Sequence, residues 1–143
     1  METGLMINKL SNCLRRRSAE IQRSVGISGA QGAVLDYILV EHARGRDVCQ
    51  KDIEKEFGMR PSTVTEMLKS MEAAGFIRRV PDPEDARRKN IVFLPQADAV
   101  CAALQAEITQ TEELLLRDIP PQEKEQFLRI AHRMLQNLEG QSG

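Results

Sequence analysis

The sequence predicts a mainly α fold with a small β-ribbon, and three observations lead there. Hydrophobic residues make up 41% of the chain but aromatic ones only 3%, so the core is built from Leu, Ile, Val, Met and Ala, which suit helices. Apolar residues recur three and four apart over most of the chain, the period of an amphipathic helix. Two runs are β-prone, FIRRV (76–80) and NIVFL (90–94), and they flank the charged segment DPEDARRK (82–89). At 143 residues the chain reads as a single domain, 1–143, able to bury a core without covalent staples.

Along the chain, Ile7, Leu10, Leu14, Ile21 and Val25 form one helical face, interrupted only by Ser18, with Arg15, Arg16, Arg17 and Arg23 opposite; Gly26 closes this helix. Ser28 followed by Gln31 has the spacing of a capping box, in which each side chain satisfies an unpaired backbone N–H. Ala30, Val34, Leu35, Ile38 and Leu39 are the expected buried stripe of that helix, which Gly45 ends. A short helix over roughly 50–57 carries Ile53 and Phe57, and Gly58 supplies a sharp corner. Pro61 then opens a further helix, where its missing N–H is harmless; Val64, Met67, Leu68 and Met71 face inward, and Gly75 stops it.

Between the two strands, Pro81 and Pro83 bar a tight hairpin and favour an extended loop. Two strands alone are marginal, so the ribbon must lean on the helices before it. Pro95 can open the next helix, in which Val100, Leu104, Ile108, Thr111 and Leu115 are periodic. Pro120 and Pro121 break the chain before a last helix striped by Phe127, Ile130, Met134 and Leu138.

This order is that of a winged helix-turn-helix. Its second short helix presents Ser62, Thr63, Thr65 and Lys69 outward, the short hydroxyls and flexible cation that reach base edges and phosphates from a major groove. The ribbon tip offers Arg87, Arg88 and Lys89 to an adjacent groove or backbone, although strand alternation should turn Arg88 or Lys89 away.

The run FGMRPSTVTEMLKSMEAAGFIRRVPDPEDARRKNIVFLP (57–95) resembles the MarR family of bacterial transcriptional regulators. The likeness lies in G-x-x-x-S-T-V-T opening the recognition helix, small-Gly-apolar-Ile-x-R leaving it, and D-P-x-D-x-R followed by x-V-x-L in the wing. It implies a homodimer whose N- and C-terminal dimerisation helices (1–27 and 96–143) hold two winged regions (28–95) over a near-palindromic operator in double-stranded DNA. It further implies a repressor released by a small, often aromatic, effector or by cysteine oxidation. Carried over by position, the DNA-binding residues are Arg60, Ser62, Thr63, Thr65 and Lys69 on the helix and Arg87 on the wing, with Asp85 holding Arg87 by a carboxylate–guanidinium pair. Glu66 departs from the cation often found there and can accept from a cytosine amine. Leu94-Pro95 replaces the usual Leu-Thr, which alters the joint between strand and helix.

Formal net charge is −1, but residues 44–90 hold 11 Lys/Arg against 9 Asp/Glu (+2) while the remainder holds 9 against 12 (−3). The middle is therefore locally basic, and phosphate contacts are made by patches rather than totals. Three scattered cysteines and the absence of a long apolar run suggest a reducing cytoplasm. Cys13 and Cys49 are the candidates for redox sensing, Cys49 because it stands just before a helix, where a thiol can ionise more readily; Cys101 is expected to be packed. No metal-ligand spacing, phosphate-cradling loop or nucleophile motif is present, so no cofactor, metal or enzymatic activity is expected. The competing class is a winged-helix protein-interaction module that does not bind DNA, favoured by the near-neutral charge.

Overall fold

The computed structural model of the chain describes residues 1–141, which divide into two compact units, 1–108 and 109 onward. The first contains α1 (Thr3–Ser24), α2 (Gly29–Ala43), α3 (Gln50–Phe57), α4 (Pro61–Ala73), β1 (Ile77–Pro81), β2 (Lys89–Phe93), a single 3-10 turn (Pro95–Ala97) and the first part of α5 (Asp98–Leu115). The second contains the end of α5 and α6 (Pro121–Gln141). Helices and one antiparallel ribbon are thus the architecture that the sequence predicts. Among the described residues, no helix is long and apolar enough to cross a membrane.

Local chemistry sets the helix ends of the first unit. At α2, the Gln31 N–H donates to Ser28 Oγ and the Ser28 N–H donates to Gln31 Oε1, both at 3.1 Å, so the capping box closes as expected. At α3 the Cys49 N–H donates to Asp52 Oδ2 at 2.9 Å, a reciprocal bond that the sequence reading did not foresee. Gly58 has φ +61, the left-handed corner between α3 and α4, and Pro61 is the first residue of α4.

A core of aliphatic side chains joins these elements. Val34, Leu35 and Ile38 of α2 meet Ile53 of α3, Val64, Leu68 and Met71 of α4, Ile77 and Ile91 of the ribbon, and Val100 and Leu104 of α5. Each such burial is worth roughly 1.5–3 kcal/mol against exposure. Tyr37 and Phe57 meet edge to face at 5.8 Å, linking α2 to the end of α3. Gly32 lets α1 close on α2: a Cβ there would lie 2.8 Å from Gln22 Cδ, inside contact distance.

Three expectations need correction. Ala30 is exposed, and Gly32 takes its place on the inner face because Gln22 packs there. In α1 burial starts at Leu14; Ile7 and Leu10 are 49% and 42% exposed, because only the C-terminal half of the helix reaches the core of this unit. Pro81 lies in β1, opposite Lys89, rather than in the loop. A two-stranded ribbon has open edges, so the missing N–H costs no ladder bond, and the loop shrinks to 82–88. The sequence also hid a further contact: the Ile91 N–H donates to Val48 O at 2.8 Å, and Cys49 bridges Asn90, so the segment before α3 runs against β2.

In the second unit, Lys124 pairs with Glu112 at 3.1 Å across the α5–α6 turn, where Asp118 takes a positive φ of 62°. The α6 stripe is open: Phe127, Ile130 and Leu138 are 59%, 52% and 69% exposed. Of the 96–143 segment, Ser142 and Gly143 lie outside the described residues.

Candidate nucleic-acid interface

The α4 helix carries two opposed stripes. Val64, Leu68 and Met71 are buried, which turns Ser62, Glu66 and Lys69 (also four and three apart) to the outside, with Thr63 beside them. Arg60, the N-cap residue, is exposed as well and makes no side-chain cap bond. These five side chains therefore form an open polar face on a helix whose N-terminal end, the positive end of its dipole, favours an anion.

Thr65 behaves differently. It is half-buried, and its Oγ1 accepts from Gln50 Nε2 at 2.9 Å. The same amide lies 3.2 Å from Pro61 O and 3.0 Å from Glu54 Oε2, while Gln50 Oε1 accepts from Arg79 Nη1 at 3.4 Å. Arg79 in turn pairs with Glu72 at 2.8 Å. Gln50 and Arg79 thus tie α3, α4 and β1 together on the flank of the open face. The sequence marks neither, because the partners lie up to 29 residues apart.

The wing loop is shaped by acids rather than by prolines alone. Asp82 Oδ1 accepts the N–H groups of Glu84 (2.8 Å) and Asp85 (3.2 Å), turning the chain, and Asp82 Oδ2 accepts from Asn90 Nδ2 at 2.8 Å. The bond from Asn90 and that from the Glu84 N–H hold the Asp82 carboxyl below its ordinary range. Asp85 Oδ1 accepts both the backbone N–H (3.1 Å) and Nε (3.2 Å) of Arg87. Those bonds steady the base of a side chain that is still 93% exposed, so the guanidinium projects from the tip. Lys89 is exposed too.

Arg88 turns the other way. Its Nη2 donates to Asp52 Oδ2 (2.9 Å) and to Asp47 O (3.0 Å), and its Nε donates to Asn90 Oδ1 (3.0 Å). The grouping of Arg88 with the outward cations is therefore corrected: three internal acceptors hold it. Burial pushes the Asp52 carboxyl up, but the Cys49 N–H and the Arg88 guanidinium outweigh that and bring it below its usual value.

The remaining candidates are dispersed. Cys13 is exposed on α1, with its Sγ 3.3 Å from Arg16 Nη2, whereas Cys49 is buried. Cys101 is half-buried, and burial followed by Asp98 raises its thiol pKa. Among the described residues, no three or more His, Cys, Asp or Glu side chains group as a metal ion would require. Two open cavities flank α2. One, of about 640 Å³, is lined by Tyr37, Val40, Phe57 and Ile108; the other, of about 580 Å³, by Leu14, Ser18, Gln22 and Ile27. Asp36 borders both, and its buried Oδ1 has no hydrogen-bond partner. Burial, reinforced by Glu107, raises its pKa to about 6.

Residues 25–88 match the MarR family. The uncharacterized HTH-type transcriptional regulator YwoH of Bacillus subtilis (strain 168) is 27% identical over 130 residues, 91% of either chain. In structure, Staphylococcus aureus MepR in its DNA-binding conformation superposes with a TM-score of 0.85 at 23% identity, over 96% of this chain and 99% of that one. The MepR–DNA complex gives 0.78 at the same identity, over 96% of each chain. The winged-helix fold is common to all of these structures, and the sequence match spans the helix-turn-helix and most of the wing. Residues 25–88 are thus similar to the MarR family, and most of the chain is similar to a helix-turn-helix transcriptional regulator.

Proposed function

We propose that the chain acts as a homodimer in the cytoplasm and binds a near-palindromic operator in double-stranded DNA, repressing transcription until a small effector releases it. The observation that carries this reading is the open α4 face of Arg60, Ser62, Thr63, Glu66 and Lys69, combined with an Arg87 that Asp85 steadies and that stays 93% exposed. An α-helix of this kind fits a major groove, and an arginine on a wing gains from the potential of the neighbouring minor groove. Within the face, Ser62, Thr63 and Glu66 are short enough to read base edges, while Arg60, Lys69 and Lys89 suit phosphates. Thr65 contributes through its bond to Gln50 and through any second bond its hydroxyl makes.

Assembly rests on the apolar residues left open. Leu5, Met6, Ile7 and Leu10 of α1, and Phe127, Leu128, Ile130, Leu135 and Leu138 of α6, are each 42% exposed or more. Two helices with such faces call for a partner, and a second copy of residues 1–27 and 96–143 supplies matching ones. The dimer then sets two copies of 28–95 over successive major-groove faces. An effector, aromatic in the family pattern, is accommodated by the cavity of about 580 Å³ beside α1 and α2. Oxidation of exposed Cys13 is the second route to release.

The deciding experiment is selection of duplexes from a randomised pool. The expected product is two inverted half-sites whose centres lie about 34 Å apart, one helical turn. No enrichment would favour the protein-interaction module, whose support is the net charge of −1.

A further inference from the structure

The Arg88 contacts go beyond tidy packing. Its guanidinium spans three separate pieces of chain: the carbonyl of Asp47 before α3, the carboxylate of Asp52 in the first turn of α3, and Asn90 in β2. Asn90 is the one buried polar side chain among the described residues, at 4% exposure, and it passes the connection on to Asp82. Asp82 folds the loop by accepting the Glu84 and Asp85 N–H groups, and Asp85 holds Arg87. An unbroken line of hydrogen bonds therefore runs from the cap of α3 to the wing tip. Asp52 also holds the Cys49 N–H, so one carboxylate serves both the helix cap and the wing. The backbone seconds this, since Ile91 donates to Val48 O beside the same residues.

We propose that Arg88 is a positioning residue, a latch that fixes the wing against the start of α3 and thereby sets where Arg87 meets a duplex. This rests on the DNA-binding reading above. Only a guanidinium can fill the role. Two of its nitrogens serve three acceptors in a fixed plane, whereas a lysine offers one ammonium centre on a flexible stem. A phosphate contact would instead tolerate lysine, because charge alone suffices there.

The test compares Arg88→Lys, Arg88→Gln, Asp52→Asn and the double variant Arg88→Gln/Asp52→Asn with the wild-type full chain. Asp52→Asn keeps an oxygen for the Cys49 N–H while removing the charge that Arg88 meets. The probe is a duplex selected by the wild-type chain. Each single variant, Arg88→Lys included, is expected to weaken binding about tenfold, the scale of one charged hydrogen bond. The double variant should be no weaker than either single one, and the slope of affinity against salt should be unchanged. Hydroxyl-radical protection should fade at the wing's minor-groove site and persist at the α4 site. In the free protein, hydrogen exchange at the Ile91 amide should quicken about tenfold in both Arg88 variants. Wild-type binding by Arg88→Lys, with a reduced salt slope in Arg88→Gln and no effect of Asp52→Asn, would make Arg88 a phosphate contact and overturn the latch. Unchanged Ile91 exchange would overturn it too. If the wild-type chain binds no duplex, the DNA reading fails, and the exchange measurement alone decides whether Arg88 holds the wing.

Discussion

Two adjacent arginines on the wing have opposite fates, and what they touch explains why. Arg87 has one carboxylate beside it, Asp85, and no neighbour to cover its guanidinium; Arg88 has Asp52, Asp47 O and Asn90 within 3.0 Å. In the proposed complex, removing Arg87 takes away one cation in a narrow groove from each of two half-sites. Arg87→Ala should therefore weaken duplex binding about 10- to 100-fold while helical content and oligomeric state stay as in the wild type. Fluorescence anisotropy alongside sedimentation checks both, and unaltered affinity would remove the wing from the interface. Asp36 makes the other residue-scale case. Its pKa is raised from 3.8 to about 6, so its neutral form is favoured by folding. The folded chain holds this proton longer than the unfolded one, so the neutral carboxyl costs nothing below pH 3.8; stability is lost as pH rises towards about 6 and stays lowered above it. With the group partly open to water, the loss is about 1–2 kcal/mol. Asp36→Asn should recover that amount in urea unfolding near neutral pH and change nothing near pH 4; equal effects at both would contradict the burial argument.

At the scale of elements, local signals were legible and distant pairings were not. Ser28 and Gln31 announce α2 because both halves of the cap lie within four residues. Gly58 and Pro61 announce the α3–α4 corner for the same reason. The place of Pro81 depends on register, set by pairing between β1 and β2, so the sequence suggests a loop where the residue pairs with Lys89. The role of Arg88 depends on Asp52, 36 residues away, and that of Gln50 on Thr65 and Arg79, 15 and 29 away. The inner stripe of α4 marks its outward face, and a resemblance to the family adds Arg60 and the Asp85–Arg87 pair, whereas Gln50, Asp52, Asp82 and Asn90 become visible only in three dimensions. The α6 stripe was legible as apolar, but periodicity alone does not say what covers it. Substituting Phe127→Asp and Leu138→Asp together should shift a dimer to monomer in sedimentation at micromolar concentration. Each charge would lie in a surface that otherwise sheds water, at a cost of several kcal/mol per pair of copies. An unshifted dimer would move the interface away from α6.

For the whole molecule, the balance of charge is the test of the account. A net charge of −1 gives a duplex no general reason to approach, so in the proposed complex binding comes from the local patch of Arg60, Lys69, Arg87 and Lys89, doubled in the proposed dimer. Such a patch releases counterions in proportion to the phosphates it meets, which gives a number to measure. The most direct measurement is affinity for the selected duplex as a function of salt, with Arg87→Ala beside the wild type. The account predicts a linear fall of log affinity with log salt that corresponds to roughly 6–8 phosphate contacts for the dimer. It predicts a shallower slope, by about two contacts per dimer, in the variant. Affinity that is independent of salt, or the same slope in both proteins, would contradict it.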